Sequence, residues 1–157
     1  MDRMPMPPGG PERVTLREAK RWLSDRLSDG AHCPCCGQIA KVYRRKVNST
    51  MARALIQLYR HGGTTDFVHA PSLPGDTHEM SQLSWWGLIE EERIRREDGG
   101  RAGWWKLTER GALYVTNRLQ IQEYAVVYDG TLVRLEGQLR SIQAALGKRF
   151  NLRDLMS

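Results

Sequence analysis

The sequence predicts an α+β fold of short capped helices and antiparallel hairpins. Three observations carry that prediction. Apolar residues recur at helical spacing in several stretches, each preceded by a Ser, Thr or Asn placed to cap it. Two segments rich in β-branched and aromatic residues turn back at Asp98-Gly99-Gly100 and at Asp129-Gly130, which supply the positive φ of tight hairpins. Finally, 40% hydrophobic and 27% charged residues in a chain of 157 are ordinary globular values. That length suits one domain with appendages and excludes two large ones.

Taken in order, residues 1–14 read as a flexible arm, because Met4-Pro5-Met6-Pro7-Pro8-Gly9-Gly10-Pro11 is too short and too Pro-rich for a signal peptide or a membrane span. A domain is expected over 15–121. Thr15-Leu16-Arg17-Glu18 is a capping box, and Leu16, Ala19, Trp22, Leu23 and Leu27 continue a helix of about three turns to Asp29-Gly30. Cys33-Pro34-Cys35-Cys36-Gly37 forms a knuckle within 31–47, followed by alternating small apolar and basic residues that predict a strand from Gln38 to Val47. Asn48-Ser49 caps a second helix carrying Met51, Ala54, Leu55, Leu58 and Tyr59, ended by Gly62-Gly63.

Phe67-Val68-His69 predicts a short strand. Asp76 or Thr77 opens a third helix, roughly His78 to Trp86, with Met80, Leu83 and one of Trp85 and Trp86 facing inward. Leu88 to Ile94 and Gly103 to Leu107 form the first hairpin, and Thr108 caps a helix from Glu109 to Leu119. Residues 122–157 are expected as an extension packed on the same domain. It holds a second hairpin, Tyr124–Tyr128 with Thr131–Leu135, a short helix from Ser141 to Leu146 closed by Gly147, and a last turn capped by Asn151.

The net charge of +6 is unevenly placed. Residues 31–65 contain Lys41, Arg44, Arg45, Lys46, Arg53 and Arg60 and no acid, interleaved with Tyr43 and Tyr59. Such a block is an electrostatic footprint suited to phosphates or to an acidic protein face; the alternative is a solvated basic surface. In the hairpins, a two-residue period puts Trp105 and Leu107 on one face and Trp104 and Lys106 on the other. One indole of each Trp pair is therefore expected at a surface, either covered by a second layer or serving as an interface anchor.

Trp86-Gly87-Leu88-Ile89, the charged hairpin and Leu107-Thr108-Glu109-Arg110-Gly111 together resemble winged-helix regulators of the MarR and PadR type. That resemblance implies a winged-helix-like core, with the cysteine knuckle before it and the hairpin-helix appendage after it, and a wing whose Arg95, Arg96 and Arg101 touch nucleic acid. The chain departs from the pattern between Phe67 and Leu88, where one full helix fits instead of two, and that helix has no Lys or Arg. Over the whole chain, Cys33-Pro34-Cys35-Cys36-Gly37-Gln38, Tyr43-Arg44-Arg45-Lys46-Val47-Asn48-Ser49 and Ser141-Ile142-Gln143-Ala144-Ala145-Leu146-Gly147-Lys148-Arg149-Phe150 resemble small proteins of bacteriophages and prophages. The context this implies is a bacterial host cytoplasm.

Cys33 and Cys36 have the spacing of half a zinc site, and His69 and His61 are the best-placed further ligands. The alternatives are a thiol-bearing turn, or a reactive Cys35 or Cys36 beside His32. Neither a phosphate-cradling glycine loop, a paired-carboxylate motif nor a serine triad is present, so a nonenzymatic role is expected. The leading expectation is DNA binding by a regulator, with phosphate contacts at Lys41, Arg44, Arg45, Lys46 and Arg53 and on the wing. The rival is an interaction module that grips a host protein and keeps the winged helix as scaffold. No membrane partner is expected.

Overall fold

A computed structural model describes residues 14–93 and 103–157. The turn at Asp98-Gly99-Gly100, the wing cations Arg95, Arg96 and Arg101, and all but Val14 of the expected arm lie outside the described residues. The fold is α+β, and the chain divides into two compact units, Met1–Arg44 with Val126–Val133 and Arg45–Ala125 with Arg134–Ser157.

In the first unit, α1 (Leu16–Ser24) begins at the expected capping box: Glu18 N donates to Thr15 Oγ1 at 3.2 Å, and Thr15 N donates to Glu18 Oε2 at 3.0 Å. It buries Ala19 and Trp22. The helix ends three residues short of Leu27. Arg26 explains part of this, because its guanidinium stacks 4.3 Å over the Trp22 ring and donates to the Trp22 carbonyl oxygen at 2.9 Å, while its own N–H turns tighter to Leu23 O. Strands β1 (Ala31–His32) and β2 (Ile39–Ala40) then close the knuckle as an antiparallel pair, Ala31 opposite Ala40.

The single strand expected from Gln38 to Val47 is two strands in two sheets, β2 and β3 (Tyr43–Arg45). The break falls at Val42, whose N–H donates to Leu27 O at 3.0 Å rather than to a sheet partner. The second hairpin is longer than expected: β7 (Ile121–Tyr128) and β8 (Thr131–Arg140) flank Asp129 and Gly130, both with positive φ as a type I′ turn requires, and the sheet order is β3-β7-β8. Strands β4 to β6 belong to the second unit.

That unit is built on α2 (Ser49–Arg60). Asn48 Oδ1 caps it by accepting from Met51 N at 2.8 Å, and Met51, Ala52, Ala54, Leu55, Ile56 and Leu58 are all buried. A helix apolar on so much of its circumference must be surrounded. Helices α3 (Glu109–Val115), α4 (Ile142–Leu146) and α5 (Leu152–Met156) pack against it, as does the segment Met80–Trp86. Thr108, Ser141 and Asn151 cap α3, α4 and α5 as expected. Helix α3 is shorter than the expected span to Leu119, ending at Val115.

Met80–Trp86 is a 3₁₀ helix, not the α-helix expected over His78–Trp86. Its buried residues are Met80, Leu83 and Trp86, three apart each time, which matches three residues per turn and leaves Ser84 exposed at the i+4 position. Gly87, at φ 71°, ends the segment. The adjoining sheet, in order β4-β6-β5, joins β4 (Val68–His69), β6 (Trp104–Leu107) and β5 (Ile89–Glu91), all antiparallel. Among the described residues no helix is long and apolar enough to cross a membrane.

Candidate nucleic-acid interface

Strand β3 lies at the end of its sheet, and Tyr43, Arg44 and Arg45 are all exposed along it, with Lys41 exposed two residues earlier. The alternation of a strand puts Tyr43 and Arg45 on one face and Arg44 on the other. Sequence reading had not singled out the cations of α1. Arg17, Lys20 and Arg21 are exposed on it, opposite the buried Ala19 and Trp22, and their i, i+3, i+4 spacing was the signal. Glu18, the acid of that helix, is held by its capping box.

Two of the expected phosphate contacts have partners within the second unit. The Arg53 guanidinium stacks 4.3 Å over the Phe150 ring, and its Nε donates to Ser49 O at 3.3 Å. Lys46 Nζ lies 3.2 Å from Glu123 Oε1 and 5.1 Å from the centre of the Tyr124 ring, and Glu123 raises its pKa above the ordinary lysine value.

The region where a winged-helix reader would sit is electrostatically opposite. No Lys or Arg occurs from Gly62 to Glu92. Ser84 Oγ donates to Ser81 O at 2.7 Å, and Glu79 Oε2 accepts from the Asn48 side-chain amide at 2.8 Å. A concavity of about 780 Å³ beside it is lined by Phe67, Ile89 and Trp105 with Glu90, Glu91, Glu92 and Arg93. Three carboxylates at this point repel a phosphate backbone.

The indoles divide as expected: Trp105 and Trp86 are buried, while Trp104 and Trp85 are half-exposed. Trp104 does not stand alone. Its ring stacks on His69 with centroids 4.8 Å apart and planes at 21°.

In the knuckle, Cys33 N donates to Gln38 O at 2.7 Å, Gly37 N donates to Cys33 O at 2.8 Å, and Gly37 adopts φ 75°. His32 Nδ1 lies 3.0 Å from the Gly37 carbonyl oxygen, which only accepts, so the proton sits on Nδ1. The backbone N–H groups of Cys36 and then Cys35 lower the Cys33 pKa, whereas desolvation and the Cys33 charge raise that of Cys35. The turn thus favours the thiolate of Cys33 over that of Cys35. Among the described residues no group of three or more His, Cys, Asp or Glu is gathered that could hold a metal ion, and His69 is stacked on Trp104. The lowered Cys33 pKa predicts that alkylation by iodoacetamide, followed by peptide mass across pH, modifies Cys33 at lower pH than Cys35. Coincident profiles at the two thiols would refute that ordering.

No family model, no curated protein and no solved structure matches the chain.

Proposed function

We propose that this protein binds nucleic acid by its phosphate backbone, and that the exposed strand β3 with Lys41 is the centre of the contact. The observation that carries this reading is a strand exposed at every residue, Tyr43-Arg44-Arg45, within a 31–65 segment free of acid. Cations on a sheet edge neutralise phosphates, and an exposed tyrosine among them gives one base a stacking platform. Arg17, Lys20 and Arg21 add cations to the unit that also holds Lys41 and Arg44.

The second unit serves as scaffold. Its β4-β6-β5 order, with α2 before it and α3 after it, supports descent from a winged helix, while a cation-free 3₁₀ segment in the reader position argues against major-groove reading. The resemblance to bacteriophage proteins sets the context as a host cytoplasm, and zinc forms no part of the reading.

Fluorescence anisotropy with labelled single-stranded and duplex DNA tests it. Affinity is expected to fall with salt at a log–log slope of about −2 for single strands, the value for roughly three neutralised phosphates. Arg44→Glu with Arg45→Glu should weaken binding about tenfold or more for every sequence and flatten the slope. Undetectable binding at low salt would overturn the reading. It would favour the second one, a protein-binding module, which the acidic concavity and the missing reader cations support.

A further inference from the structure

The second unit contains a concavity of about 280 Å³ remote in character from the basic strand. Its walls come from α3, the start of β7, the end of β8 and α4, with Ile121, Ala144 and Ala145 supplying apolar surface. This volume is close to the lower bound of roughly 300 Å³ for small-molecule pockets.

Tyr114 lines it and is 1% exposed. Burial alone pushes its ionisation well above the ordinary tyrosine range, so the phenol stays a neutral donor. Among the described residues its hydroxyl has no hydrogen-bond partner. A buried O–H left unpaired is costly, and native structures carry few of them.

Lys46, Glu123 and Arg140 also line the concavity. Glu123 Oε1 lies 3.2 Å from Lys46 Nζ and 3.9 Å from Arg140 Nη2, so one carboxylate is shared by two cations and one positive charge is left over. The Ser141 oxygen accepts from Ala144 N at 3.3 Å and still has its own O–H to donate. An excess cation, two donors without acceptors and a partly apolar wall are complementary to one chemistry.

We infer that this concavity is a binding site for a small organic monocarboxylate that carries a second acceptor oxygen, its carboxylate drawn to Arg140 and Lys46 and its other oxygen accepting from Tyr114. The site lies beyond the nucleic-acid reading and stands or falls without it.

The test uses the full chain and three probes: 4-oxopentanoate, pentanoate and 2-pentanone. Trp86 is a built-in reporter, since its Nε1–H donates at 2.8 Å to the carbonyl oxygen of Gln122, another wall residue. Titration followed at the Trp86 indole ¹⁵N–¹H signal is expected to show saturable binding of 4-oxopentanoate, weaker binding of pentanoate and none of 2-pentanone. Arg140→Gln should abolish the response. Tyr114→Phe should weaken 4-oxopentanoate about tenfold, the worth of one hydrogen bond with its desolvation, and leave pentanoate unchanged. The same substitution should raise the melting temperature of the ligand-free protein, because it removes an unpaired buried hydroxyl. A lowered melting temperature for Tyr114→Phe, an equal response to 2-pentanone and 4-oxopentanoate, or no saturable response to any probe would each overturn the assignment.

Discussion

Gly111→Ala is expected to destabilise the second unit by about 3 kcal/mol or more, at or beyond the upper end of ordinary overpacking costs. A Cβ at this position would overlap Leu88 O and lie 2.9 Å from Leu88 C and 2.8 Å from Leu107 Cδ2. Two of those atoms are backbone and cannot swing away. The closeness has a purpose, because α3 starts directly on the corner that joins the 3₁₀ segment to β5. Thr108 N donates to Leu88 O at 3.1 Å, and Thr108 Oγ1 accepts from Gly111 N at 3.1 Å while donating to Gly87 O. Any side chain at 111 pushes the helix off the carbonyl that its own cap depends on. Urea denaturation of Gly111→Ala beside Ala112→Gly, which changes helix propensity by only about 1 kcal/mol, checks this. Equal midpoints for the two variants would show that the corner yields without cost.

This geometry gives a physical meaning to the phrase Leu107-Thr108-Glu109-Arg110-Gly111, which was legible as a strand end and a capped helix. Caps were the most readable parts of the fold. Thr15, Asn48, Thr108, Ser141 and Asn151 each cap the helix they were expected to cap, since a cap bonds within three residues along the chain. The turn at Asp129-Gly130 was readable for the same reason: its backbone demand is local.

What escaped was set by distant partners. Arg53 reads as a free cation in its own helix, yet its ring partner Phe150 comes from the far end of the chain. Lys46 reads as part of a basic run until Glu123 is brought beside it. The break at Val42 depends on Leu27, an acceptor left over at the end of α1. Tyr114 looks like an ordinary core aromatic on α3, and nothing near it in sequence announces Arg140 or Ser141 on the same concavity. The 3₁₀ segment was the closest case. Met80, Leu83 and one of Trp85 and Trp86 were expected inward on an α-helix; the burial of Trp86 makes the spacing three throughout, which is the 3₁₀ period.

Trp86→Ala is expected to cost about 4 kcal/mol, within the range for truncating a fully buried large aromatic. The indole is 1% exposed, and it does two things at once. It fills the space under the last turn of the 3₁₀ segment, and its Nε1–H satisfies the Gln122 carbonyl oxygen at 2.8 Å on β7. Trp86→Phe separates these roles, because phenylalanine keeps most of the volume and loses the donor. It should cost about 1–2 kcal/mol, the penalty for leaving one part-buried acceptor unpaired together with a small loss of packing. Trp85, its half-exposed neighbour with ring centroid 6.4 Å away, supplies the comparison, and Trp85→Ala should cost well under half as much as Trp86→Ala. The three variants are read by urea denaturation at a single wavelength in the far-ultraviolet, which no tryptophan loss disturbs greatly. If Trp85→Ala proved the more damaging, the inward stripe would run through Trp85, and the three-residue spacing that defines the segment would be wrong.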